Sequence, residues 1–140
     1  MKNRASLSLM EQLIMVLVFA LAAALCLQGF AAANRVSQKT GQMDHAVHQV
    51  QNTAELLKAH RGSVERQLPA SARPTAGGWV VYYDREWQPV EKTADPLYCM
   101  EITRQAPEQK GLGQANIKML EISRQSELFS LTVAWQEEAV

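Results

Sequence analysis

Leu13-Ile-Met-Val-Leu-Val-Phe-Ala-Leu-Ala-Ala-Ala-Leu-Cys-Leu27 is an unbroken apolar run of good helix formers without proline. No charge occurs between Glu11 and Arg35, an uncharged span of 23 residues. As a helix it covers roughly 35 Å, enough to cross a hydrocarbon core of about 30 Å. The helical pattern then continues in amphipathic form. Val36, Met43, Val47, Val50, Ala54 and Leu57 recur at spacings of 7, 4, 3, 4 and 3, with mostly polar residues between them. No proline precedes Pro69, and Gly62 is the expected stop.

Beyond Gly62 the period changes from helix to strand. Leu68 to Gly78 is rich in Pro, Gly and small residues and predicts a loop. Short strands are predicted over Trp79–Tyr83, Trp87–Val90, Leu97–Thr103, Ala115–Ile122 and Leu128–Trp135. Pro89 restricts the second of these to an edge or a short return. In the last, Phe129, Leu131, Val133 and Trp135 alternate onto one face, the natural partner of the helical seam. The expected fold class is α+β: a long N-terminal helix, half membrane-spanning and half amphipathic, packed on a C-terminal antiparallel β-meander. The divisions fall at 7–33 for the apolar helix, 34–62 for its amphipathic continuation and 63–140 for a β-rich head.

Composition sharpens this division. The 140 residues carry 14 basic and 14 acidic side chains. Lys2 and Arg4 are the only basic residues before Asn34 and Glu11 the only acidic one, so the last 107 residues keep 12 basic and 13 acidic. The balance argues against a nucleic-acid binder, which carries a basic surplus. Lys2 and Arg4 favour a cytoplasmic N-terminus and an extracytoplasmic head. Cys26 lies in the apolar run and Cys99 is the only thiol after it, so no intrachain disulfide framework is expected. Ala31-Ala-Ala33 imitates a signal-peptidase site, and cleavage there would release a secreted head.

Ser6-Leu-Ser-Leu-Met-Glu11-Gln-Leu-Ile-Met-Val-Leu-Val resembles the processing and assembly motif of type IV pilins and type II secretion pseudopilins. That family has a short basic leader, a Gly before the cut, a hydrophobic first mature residue, a small second one and Glu at the fifth. Lys2 and Arg4 match the leader, and Ser6 stands where the family has Gly. The resemblance implies a leader of residues 1–6, cleavage between Ser6 and Leu7, N-methylation of Leu7, and Glu11 as the assembly carboxylate. In the family this glutamate pairs with the amine of a neighbouring subunit, neutralising two poorly solvated charges. The partners implied are a prepilin peptidase, other pilin or pseudopilin subunits and the membrane assembly platform of a pilus, competence pilus or secretion filament. Such a subunit begins as a single-pass inner- or cytoplasmic-membrane protein and moves into a filament. The competing class is an uncleaved, membrane-anchored binding or regulatory protein.

Other constellations carry less. His45 and His48, beside Asp44, have a spacing some metal sites use, but no Cys or acidic cluster completes a set, and His60 adds nothing. Gly111-Leu-Gly113 reads as a turn. Trp79, Trp87 and Trp135 read as packing residues, Cys99 as a buried or half-buried strand thiol, and Glu137-Glu138 as a solvated tail. No catalytic residue, metal or cofactor is expected.

Overall fold

A computed structural model describes residues 2–107 and 109–137, with side chains from Arg4 onward. Met1, the side chain of Lys2 and Glu138 of the expected tail lie outside the described residues. The chain has an α+β layout. Helix α1 spans Lys2–Ala59, and six strands follow: β1 (Arg73–Thr75), β2 (Gly78–Tyr83), β3 (Pro89–Val90), β4 (Tyr98–Gln105), β5 (Leu112–Glu121) and β6 (Ser126–Gln136). Its contacts divide it into two units, Met1–Gly41 and Gln42–Val140.

The first unit is helix alone. Among the described residues its apolar side chains stand exposed: Leu7, Leu13, Leu17, Phe19, Leu25 and Phe30 all do. This helix is long and apolar enough to cross a membrane, and none of its most apolar stretch is buried.

In the second unit the end of α1 packs on an antiparallel sheet of order β1-β2-β4-β5-β6, with β3 also paired to β2. Strand period explains the core. Val81, Met100, Met119 and Phe129 are cross-strand neighbours in one row, and Trp79, Ile102, Ile117 and Leu131 in the next. Alternation puts both rows on the same face. Ala46, Val50, Ala54 and Leu57 of α1 complete the core they line. Thr53 joins them as a buried polar residue, its Oγ1 donating to the Gln49 carbonyl at 2.9 Å and lying 3.5 Å from Met100 Sδ.

Several sequence expectations are corrected here. Val36 is 66% and Met43 41% exposed, so they do not belong to the buried seam. The stripe is instead Ala46, Val50, Thr53, Ala54 and Leu57, at i, i+4, i+7, i+8 and i+11, the face of a straight α-helix. The heptad spacing passes over Ala46 and Thr53, whose small size suits a close helix-to-sheet approach. Regular helix ends at Ala59, before Gly62. Gly62 N–H donates to the Leu57 carbonyl and Arg61 N–H to that of Lys58, a Schellman closure with Arg61 left-handed at φ 49°. The 68–78 segment contains a strand, β1, paired with β2 through Pro74 and Trp79. Trp87 belongs to a turn, and only Pro89–Val90 pair beyond it.

Candidate assembly site on the N-terminal helix

Ser6, Leu7 and Glu11 all lie on α1 and all are exposed. Leu7 and Glu11 are four residues apart, so helical geometry puts them on one face with Cβ atoms about 5–6 Å apart. Leu7 is 67% exposed. Among the described residues no ion pair involves Glu11, and the next residues along its face, Met15 and Val18, are exposed and apolar. A carboxylate on an uncovered apolar helix is costly in hydrocarbon, on the order of 3 kcal/mol at mid-bilayer. What this site can do chemically is limited to pairing: it offers one anion and a surrounding apolar surface.

The head holds the other residues singled out by sequence. The His45 ring stacks on Trp87 with centroids 5.6 Å apart, and Trp87 stacks nearly parallel on Tyr98 at 4.1 Å. His48 is exposed, and among the described residues no three His, Cys, Asp or Glu side chains gather as metal ligands would. The Trp87 turn is built by Asp84, whose Oδ1 accepts the N–H groups of Glu86 and Gln88 at 2.9 Å each. That arrangement holds Trp87 at φ 60°, a conformation ordinarily left to glycine or asparagine. The sequence signal for this was Asp84 four residues ahead of Gln88, but nothing in it named Tyr98 as the stacking partner.

Cys99 is half-buried on the sheet face opposite the helix. Burial, reinforced by the Glu101 carboxylate, pushes its thiol up to about 11, which suppresses the reactive thiolate. Tyr83 is pushed up to about 12 by burial. Tyr98 is raised by burial and by Glu121, with Arg85 acting in the opposite sense. A surface cleft of about 650 Å³ is lined by Arg61, Gln109, Lys110, Gly111, Leu112, Gln136 and Glu137, a set without a nucleophile activated by a base. Gly111 is left-handed at φ 88°, as a turn requires. Compared with protein-family models, with curated proteins and with solved structures, the chain matches none.

Proposed function

We propose that this protein is a pilin-like filament subunit, a minor pilin or pseudopilin of a type IV pilus, competence pilus or type II secretion filament. A prepilin peptidase cuts between Ser6 and Leu7 and methylates the new Leu7 amine. The apolar part of α1 holds the subunit in the inner or cytoplasmic membrane, N-terminus inside, with the head outside. It then transfers into the filament, where Glu11 meets the Leu7 amine of a sister subunit at the assembly platform, and the head coats or caps the filament.

One observation carries this reading. Glu11 is the only charge between residues 5 and 34, one turn after Leu7, on a helix whose apolar side chains stand exposed. Pairing that carboxylate with an amine satisfies both charges as they leave water, and an unpaired one opposes docking by several kcal/mol. The test is Glu11→Ala beside Glu11→Gln, expressed with the native assembly machinery. Both variants are expected in the membrane fraction at normal levels and absent from sheared filaments. Normal incorporation of either overturns the role given to the carboxylate.

Ser6 favours a second reading. With Ser in place of Gly at the cut, an uncleaved anchor presenting a binding or regulatory head accounts for the same helix and sheet. It differs in predicting that Glu11 variants behave as wild type.

A further inference from the structure

The two edges of the sheet are unlike. On the β2 side the edge is made of two short strands, β1 and β3, carrying Pro74 and Pro89. An Arg73–Glu91 ion pair joins the first of these to the residue following the second. Proline has no N–H to offer a further strand, so this edge is closed. On the other side β6 is the longest strand, eleven residues, paired only with β5 among the described residues. From Leu128 to Gln136 it contains no proline and no charge, the features that ordinarily block an edge. A bulge where Met119–Leu120 pairs with Phe129 and Glu127 disturbs only its start. The regular stretch from Phe129 to Gln136 therefore presents a row of backbone donors and acceptors to solvent.

We infer that the β6 edge is a strand-addition site for an extended segment of another protein chain, about eight residues long and basic at the end beside Glu127. Phe129 and Leu131 on the core-side face are only half-buried, so the added strand sets apolar side chains beside them. Ser130 and Thr132 on the other face call for small hydroxyl-bearing neighbours. Charge fixes the end. Glu127 is exposed and, among the described residues, accepts only from Ser130 Oγ, at 2.6 Å. Nearby Glu121 has Arg124 at 3.9 Å as its own partner. At the Gln136 end the cleft sets Arg61 and Lys110 beside Glu137, two cations to one anion, so a basic residue is not favoured there. A second copy of this strand fits poorly: antiparallel pairing of all of Ser126–Gln136 with itself sets Glu127 opposite Trp135 rather than a cation. The site concerns the head and stands whether or not the leader is cleaved.

The experiment uses the full chain in detergent and two amidated peptides, Val-Thr-Val-Thr-Val-Thr-Val-Lys and the same with Glu at the last position. Antiparallel addition brings that last residue to Glu127. Hydrogen exchange is expected to show protection of alternate amides between Phe129 and Gln136 on adding the Lys peptide, with weaker binding of the Glu peptide. Glu127→Lys is expected to reverse the preference, each change being about threefold for an exposed pair. The inference is overturned by protection elsewhere or nowhere, by a preference that Glu127→Lys leaves in place, or by β6 amides already protected through self-association.

Discussion

Trp87 pays for its ring stack with its backbone. A left-handed conformation costs a non-glycine residue about 1 kcal/mol, while removing a buried Trp ring costs about 3–5 kcal/mol. Packing against Tyr98 and beneath His45 therefore outweighs the strain. Trp87→Gly, which relieves the backbone and loses the stack, is expected to destabilise the head by about 2–4 kcal/mol in urea titrations followed by the fluorescence of the remaining tryptophans. Tyr83 supplies the pH dependence. Folding raises its phenol from 10.0 to about 12, so the folded state prefers the neutral form. This contribution is complete below pH 10 and is lost as pH rises towards 12. The head should thus lose stability steeply between pH 10 and 12, and Tyr83→Phe should flatten that loss in denaturation curves measured across the range. At this scale the sequence was legible for types and not for partners: three tryptophans read as packing, yet which ring met which depended on contacts between distant segments.

The elements follow from periodicity where one face is buried. All five strands expected from alternation are present with ends moved by up to three residues: the second is cut to Pro89–Val90, and β5 gains Leu112-Gly-Gln, which pairs with Ala134–Gln136 despite its glycine. Trp135 explains that glycine. A Cβ on Gly113 would come within 2.3 Å of the indole, and one on Gly62 within 2.4 Å from the other segment. Gly41 in α1 has nothing within 4 Å. Gly113→Ala should accordingly destabilise the head by about 1–3 kcal/mol through overpacking, whereas Gly41→Ala should stabilise α1 by up to about 1 kcal/mol, both read by thermal melts. The helical seam was legible only in part, because heptad spacing admits Val36 and Met43 while the sheet receives residues from Ala46 onward. Leu57→Ala should cost about 2–5 kcal/mol and Val36→Ala under about 0.5 kcal/mol in the same measurement. Strand β1 was hidden because its three residues include a proline and lack alternation.

At the scale of the molecule, an apolar helix without cover and a head with its own core divide the labour. The division was legible from charge alone, since one acidic residue interrupts the first 33 residues and 13 acidic residues populate the rest. The helix is long and apolar enough to cross a membrane, and in the proposed filament Glu11 gives it one point at which register is chosen by charge. A closed proline edge on one side of the sheet and an open one on the other give the head a direction, so that it accepts a strand on one side only. The most direct test of the filament-subunit account is the mass and N-terminal peptide sequence of the protein extracted from membranes that contain its processing peptidase. The account predicts a mature chain beginning at Leu7, with or without one added methyl group. A chain still beginning at Met1, or one beginning at Asn34 after cleavage at Ala33, would contradict it.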